Sequence, residues 1–142
     1  MLTLEAPAHV YHPDIEPETA EVTHRLYAVV CEGLGMDAGK CASQAGHAFL
    51  DAYLNAMETD PERCDAYRVH RHGTKVVLSA NAEKIQRLHM KATAMGLPCA
   101  LVIDEGCQNF FLGRPTMTAF GVGPLTRREA SKLLGGIPLL ES

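Results

Sequence analysis

The stretch that most restricts how this chain can fold runs from residue 33 to residue 53, with the sequence GLGMDAGKCASQAGHAFLDAY. It opens with a glycine-rich turn and continues with a pattern typical of a helix. Asp37 can cap that helix, because an aspartate side chain accepts a hydrogen bond from a free backbone N–H of the first turn. The preceding run HRLYAVVCE, residues 24–32, predicts a buried strand. A strand, a glycine turn and a helix in succession indicate an α/β layer, in which ligands gather at the C-terminal ends of the strands.

One face of this predicted helix is polar. Its residues follow helical spacing and are Lys40, Gln44, His47 and Asp51. The residues suited to packing against a sheet are Cys41, Ala42, Ala45, Ala48, Phe49, Ala52 and Tyr53. A lysine in the first turn lies near the positive end of the helix dipole and costs about 0.3–1 kcal/mol, so Lys40 is better tolerated beside an anion. The polar stripe is therefore either a solvated helix face or a wall that meets substrate.

The whole chain predicts an α/β fold, a single domain with a four-stranded mixed sheet and helices on both faces. The predicted strands are residues 24–32, 74–80, 100–103 and 116–122, the last ending at the GVGP segment. The predicted helix caps are Asp37, Asp60, Asn81 and Thr126, and Thr126 forms a capping box with Glu129. The loop between the last two strands is too short for a crossover helix, which predicts that they are antiparallel.

Length and composition bound the class of protein. A chain of 142 residues fits one domain that needs neither a metal nor disulfides for stability. Residues 1–23 are rich in proline and glutamate and predict an extended N-terminal arm, followed by the α/β domain at 24–142. The net charge of −4 argues against a protein coated in nucleic acid, although it permits a local basic patch.

Cysteine usage and hydropathy indicate the compartment. The five cysteines include no C-x-x-C pair, so neither a disulfide framework nor a zinc knuckle is indicated. No apolar run approaches the roughly 20 residues needed to span a bilayer, and no signal peptide is evident. The sequence predicts a soluble protein of the reducing cytoplasm, without a membrane partner.

Three further features bear on chemistry. Asp104 ends the third predicted strand, where it could serve function or simply cap a neighbouring backbone N–H. Phe110 and Phe111 lie in a glycine-containing loop and could stack on a base or cover the core. The basic cluster near Gly73 could meet phosphates and consists of Arg68, His70, Arg71, His72 and Lys75. Its two histidines lack a third ligand, so no metal site is predicted.

Taken together, these segments resemble the archaeal and eukaryotic type of peptidyl-tRNA hydrolase over roughly Arg25 to Leu140. The similarity rests on GMDAGKCASQAGHAFLDAY, LVIDEG and TMTAFGVGP, in that order. It implies a small mixed α/β fold that hydrolyses the ester joining a peptide to the 3′ ribose of tRNA, without a metal or an organic cofactor. It also suggests a homodimer.

The resemblance implies roles for individual residues. Asp104 would hold or activate water, Lys40 would stabilise the developing oxyanion, and Thr118 would orient the substrate through its hydroxyl. Gln44 and His47 would line the site.

The sequence also departs from the family pattern. Asp37 occupies a turn where the family often has lysines, and Cys107–Gln108 stand where a basic residue and a threonine are common. The positive charge that meets tRNA is therefore expected from Arg114, Arg127 and Arg128. One alternative is a catalytically inactive RNA- or nucleotide-binding module of the same fold, and another is a scaffold or dimerisation protein.

Overall fold

The computed structural model describes residues 21–69, 72–106 and 111–141. Most of the predicted arm at 1–23 lies outside these residues, as do His70, Arg71, Cys107, Gln108 and Phe110. The elements follow the predicted order: β1 (His24–Cys31), α1 (Ala38–Thr59), α2 (Pro61–Tyr67), β2 (Thr74–Ala80), α3 (Ala82–Ala94), β3 (Cys99–Asp104), β4 (Thr116–Thr126) and α4 (Arg127–Leu134). Asp37, Asn81 and Thr126 cap their helices through side-chain oxygens, as predicted.

The four strands form one mixed sheet in the order β2-β1-β4-β3. β1 is parallel to β2, whereas β4 is antiparallel to both β1 and β3, which confirms the prediction for the last two strands. The C-terminal segment covers the outer edge of β2, where the Ser79 N–H donates to the Pro138 carbonyl and the Leu140 N–H donates to the Val77 carbonyl. At the opposite edge, no described strand pairs with the outer side of β3.

Helices cover both faces of the sheet, as predicted. Alternate residues of β1 point to opposite faces, so Ala28 and Val30 pack beneath α1 while Val29 packs with α3 and α4. The contact between α1 and β4 is very close. A Cβ atom at Gly121 would overlap the carbonyl group of Ala48, so only glycine permits this helix-to-strand distance. Small residues therefore fix how near α1 lies to the sheet.

Two predictions about element limits and helix faces are wrong. β4 does not end at Val122 but continues to Thr126, because the cis peptide Gly123–Pro124 is accommodated in an irregularity after which pairing with β1 resumes. Ala42 is exposed rather than packed on the sheet.

None of the described helices combines the length and apolarity needed to cross a membrane. The four described cysteines, Cys31, Cys41, Cys64 and Cys99, are free thiols.

Candidate active site

The first turn of α1 and the C-terminal end of β3 meet through an ion pair. The Asp37 cap starts the helix so that Lys40 lies in its first turn, and Asp104 ends the strand. Lys40 Nζ donates to Asp104 Oδ2 at 2.7 Å, and the two side chains are only 17% and 16% exposed. Asp104 is thus the anion that the sequence required near Lys40, and the pair is partly shielded from water.

Asp104 is also held by two other donors. Gln44 Nε2 donates to the same oxygen at 3.2 Å, and the backbone N–H of Gly106 donates to Oδ1 at 2.7 Å. The hydrogen bond from Lys40, followed by the one from Gly106, holds the pKa of Asp104 below its usual value. The carboxylate therefore both caps a backbone N–H and binds the two polar side chains of α1, and it is ionised at neutral pH.

Gln44 connects the ion pair to the core. Its side chain is 2% exposed, and Thr118, which is 0% exposed, donates its hydroxyl hydrogen to Gln44 Oε1 at 2.5 Å. The interpretation of the polar stripe as a solvated face is therefore wrong at Gln44. Thr118 orients the amide whose other end holds Asp104, so its hydroxyl acts on the site through Gln44.

A β-bulge explains how Thr118 reaches α1. Val102 pairs with Ala119, but the next residue, Ile103, pairs with Met117, which leaves Thr118 as an extra residue in β4. Thr118 contacts Gln44 of α1 and Ala119 packs with the alanines of α1, so two successive residues face the same helix. Bulges commonly re-aim a side chain beside an active site. Strict alternation would have turned Thr118 to the opposite face of the sheet.

Phe111 contacts Lys40, and Arg114 lies beside the loop that follows Asp104. Lys40 Nζ is 5.9 Å from the centroid of the Phe111 ring, within the range of a cation–π contact. Phe111 has a φ of 58°, a left-handed conformation that is rare for a residue with a side chain. A Cβ at Gly106 would lie 2.7 Å from the backbone of Arg114, so the exposed Arg114 packs its backbone against the loop that follows Asp104. Nothing in the sequence indicates the contact between Phe111 and Lys40.

A groove of about 510 Å³ leads away from Asp104 between α1 and β3. Its lining residues are Gln44, His47, Asp51, Leu101, Val102, Ile103, Asp104 and Glu105. His47 and Asp51 are exposed, so this part of the polar stripe faces open space. Among the described residues, no group of three or more His, Cys, Asp or Glu side chains could hold a metal ion.

Arg127 and Arg128 are not near the ion pair. They begin α4, and nearly the whole of β4 separates them from Thr118. At about 3.3 Å per residue this corresponds to roughly 25–30 Å. The structure thus brings together Lys40, Gln44, Asp104 and Thr118, places His47 on the groove wall and Arg114 beside the loop that follows Asp104, and leaves these two arginines remote.

The fold and the site define a small α/β protein with a lysine–carboxylate centre suited to ester hydrolysis. The model of the family described as peptidyl-tRNA hydrolase PTH2 matches residues 24–140. A relative named peptidyl-tRNA hydrolase from Methanocaldococcus jannaschii is 33% identical over 117 residues, which cover 82% of this chain and 99% of the relative. Relatives of the same name from Methanopyrus kandleri and Pyrobaculum aerophilum are 36% and 37% identical, covering 82% and 75% of this chain and 98% and 88% of the relatives. The chain belongs to the PTH2 family of peptidyl-tRNA hydrolases.

A solved structure also shares the fold. It is a protein of unknown function from Agrobacterium tumefaciens strain C58, with a TM-score of 0.53 and 11% sequence identity, and the match covers 84% of this chain and 98% of that one. At this identity the similarity concerns the fold alone.

Proposed function

We propose that the chain hydrolyses the ester between the peptide and the 3′ ribose of peptidyl-tRNA, releasing free tRNA and free peptide. The observation that carries the proposal is the ion pair of Lys40 and Asp104, with Nζ and Oδ2 2.7 Å apart beside an open groove. Relatives named peptidyl-tRNA hydrolase support the substrate.

The geometry suggests a separate role for the carboxylate of Asp104 and for the ammonium group of Lys40. Asp104 is ionised and accepts hydrogen bonds, so it orients a water molecule that adds to the ester carbonyl carbon, and the water proton passes to the departing ribose oxygen. A carboxylate of lowered pKa is a weak base, so proton abstraction contributes less here than electrostatics. Lys40 stabilises the negative charge that develops on the carbonyl oxygen, an effect typically worth about 10²–10³-fold in rate.

The remaining predicted residues support substrate binding or the catalytic pair. Gln44 holds Asp104 and is in turn held by Thr118, so both act as positioning residues. His47 contributes to the groove wall. Arg114 is exposed beside the loop that follows Asp104 and would meet phosphates near the ester, whereas Arg127 and Arg128 would meet phosphates further along the tRNA.

We also propose a cytoplasmic homodimer. Free thiols at the four described cysteines fit a reducing compartment. Self-association cannot rest on an exposed sheet, because helices cover both faces. It is supported instead by the family resemblance and by exposed apolar side chains along α1, namely Leu50, Leu54 and Met57. Light scattering should give the mass of a dimer, and a monomer across micromolar concentrations would remove this part of the proposal.

The activity itself has a direct test. Purified protein is incubated with N-acetyl-aminoacyl-tRNA, with and without EDTA, and released tRNA is measured. We expect release in both conditions, and none from a Lys40→Ala/Asp104→Asn double variant. Tight tRNA binding without release would favour the inactive RNA-binding module instead.

A further inference from the structure

The outer edge of β3 is open along the groove that starts at Asp104. In an antiparallel ladder, alternate residues turn both backbone groups toward the partner strand. The Gly123 N–H donates to the Pro98 carbonyl, so residue 98 faces β4, whereas the Cys99 N–H turns away and donates to Asn55 Oδ1 at 3.1 Å. The extra residue of the bulge, Thr118, lies in β4, so the alternation along β3 continues through it and turns the backbone groups of Leu101 and Ile103 toward the groove. No described strand pairs with them.

The opposite wall of the groove is the polar stripe of α1. His47 and Asp51 line it beside Leu101 and Ile103, and Asn55 lies one turn further along the same helix face. Asn55 already satisfies the first outward N–H of β3, which shows that a polar group from outside the sheet can pair with this edge. The groove is therefore bounded by a strand edge on one side and polar side chains on the other, and it ends at the proposed ester site.

The charges along the groove indicate which part of the substrate fits. At its end the charge of Asp104 is balanced by Lys40, but Asp51 and Glu105 carry further carboxylates on its lining. These groups repel the phosphates of RNA, whereas the backbone of a peptide is neutral and needs hydrogen-bond partners. None of the described arginines lines this groove.

We propose that the peptide of peptidyl-tRNA binds as an additional strand along the outer edge of β3, held by main-chain hydrogen bonds to Leu101 and Ile103. This inference rests on the proposed function. The peptide must end at the ester beside Asp104, and β3 ends at Asp104 too, so the added strand runs parallel to β3. In strand addition the affinity comes mainly from hydrogen bonds to the peptide main chain. This mode of binding suits substrates that share an ester but differ in peptide sequence. The stretch from Leu101 to Asp104 accommodates about three or four peptide residues.

The first test varies the substrate and uses the unaltered protein. Kinetics are measured for N-acetylated tRNA conjugates carrying one to six residues. The value of kcat/KM should rise about tenfold or more as two or more main-chain hydrogen bonds are added, and should level off near four residues. Replacing alanine by serine or valine in the peptide should change this gain little.

A backbone N-methyl scan of the four-residue conjugate then tests the hydrogen bonds. In a parallel strand only alternate residues direct their N–H groups toward the neighbouring edge. N-methylation should therefore abolish the gain at alternate positions and spare it at the intervening ones, which serve as matched controls.

A protein variant provides a second test. Ile103→Pro removes an outward N–H, a change that an edge strand tolerates, and Ile103→Ala removes only the side chain. For each variant, kcat/KM of the four-residue conjugate is divided by kcat/KM of the one-residue conjugate. We expect this ratio to fall toward unity in Ile103→Pro and to keep its wild-type value in Ile103→Ala.

The outcomes separate the two proposals. Cleavage of the one-residue conjugate without any gain from length, or with a gain that no N-methyl group affects, would overturn strand addition and leave the hydrolase function intact. Failure to cleave every conjugate would overturn both.

Discussion

Asp104 accepts hydrogen bonds from three donors in two parts of the chain: the side chains of Lys40 and Gln44 on α1, and the N–H of Gly106 in the loop that follows β3. These donors fix both carboxylate oxygens, so the orientation of Asp104 does not depend on substrate. Such pre-organisation is what allows electrostatic stabilisation to act at the moment of reaction without a further ordering cost.

We expect Lys40→Ala and Asp104→Asn each to lower kcat/KM by about a hundredfold or more, because each removes one of the two charges proposed to act on the reacting ester. Released tRNA measures the effect. Lys132→Ala, which changes an exposed lysine of α4, should retain full activity. Unchanged turnover in both site variants would exclude the catalytic assignment, and a large loss of thermal stability would assign the pair a structural role.

The pH dependence of stability follows from the lowered pKa of Asp104. The carboxylate is favoured in the folded protein, so its contribution is complete above the ordinary aspartate pKa of about 3.9 and is lost as pH falls through the lower, folded-state value. The difference in unfolding free energy between the wild type and Asp104→Asn should therefore stay constant from pH 7 to 5 and change only under more acidic conditions. Urea titrations across this range measure it, and a change centred above pH 5 would contradict the assignment.

At this scale the sequence indicated that Lys40 is better tolerated beside an anion and that Asp104 lies at a strand end. It did not indicate that Gln44 is buried. An amide on a polar stripe looks solvated until the hydroxyl that pairs with it is known, and that hydroxyl comes from a residue distant in sequence, Thr118.

At the scale of elements, the site depends on two irregular features of β4. The bulge at Thr118 turns its hydroxyl toward α1, and the absence of a side chain at Gly121 lets α1 approach closely. Strand alternation alone predicts the wrong face for Thr118, and nothing local in the sequence marks the bulge. The strands themselves were predictable from their apolar runs, except that Pro124 suggested an end to β4 where the strand continues.

Thr118→Val should destabilise the protein by about 1–3 kcal/mol, because it leaves the buried Gln44 carbonyl oxygen without its donor. Activity should fall as well, since Gln44 would no longer be held beside Asp104. Thr118→Ser retains the hydroxyl and should recover most of the activity. Chemical denaturation and tRNA release report the two effects, and equal behaviour of the valine and serine variants would argue against the hydrogen bond.

A pair of glycine variants tests the packing of α1. Gly121→Ala would force the Ala48 segment of α1 away from β4, so we expect a loss of several °C in Tm together with reduced activity. Gly46→Ala places a methyl group where no atom lies within 4 Å, inside a helix that favours alanine, and should leave stability unchanged or raise it by up to about 1 kcal/mol. Similar melting curves for the two variants would show that α1 does not depend on this close approach.

At the scale of the whole molecule, the acidic chain separates its charges. Carboxylates line the groove beside β3 and none of the described arginines does, whereas Arg127 and Arg128 are exposed at the start of α4. Arg63 fixes that start, because its guanidinium donates to Glu129 at 2.6 and 3.1 Å and to the Pro124 carbonyl at 2.9 Å. The sequence predicted the sheet and its helices, but it placed Arg127 and Arg128 in the binding set without showing how far they lie from the ester.

We expect tRNA affinity to fall about tenfold or more between ~50 and ~200 mM salt, as two to four phosphate contacts would produce. Arg127→Glu/Arg128→Glu should weaken tRNA binding at low salt and spare cleavage of a short aminoacyl-nucleotide that reaches only the ester site. Filter binding and single-turnover cleavage give the two values. Lys84→Glu/Arg87→Glu on α3 serves as the charge-matched control. Equal damage to both substrates would contradict a separate phosphate contact.

The length of β4 sets the distance between the proposed ester site and the arginines at the start of α4. One continuous strand carries Thr118 near one end and leads directly into Arg127 and Arg128 at the other. β4 is paired with β3 as far as Val122 and with β1 as far as Thr126, and a hydrogen-bonded strand keeps its length, so the span of roughly 25–30 Å between Thr118 and these arginines is constant. If the arginines bind phosphates, the length of β4 selects substrates by their size. An aminoacylated acceptor stem reaches both the ester site and the arginines, whereas a free peptide ester reaches only the ester site.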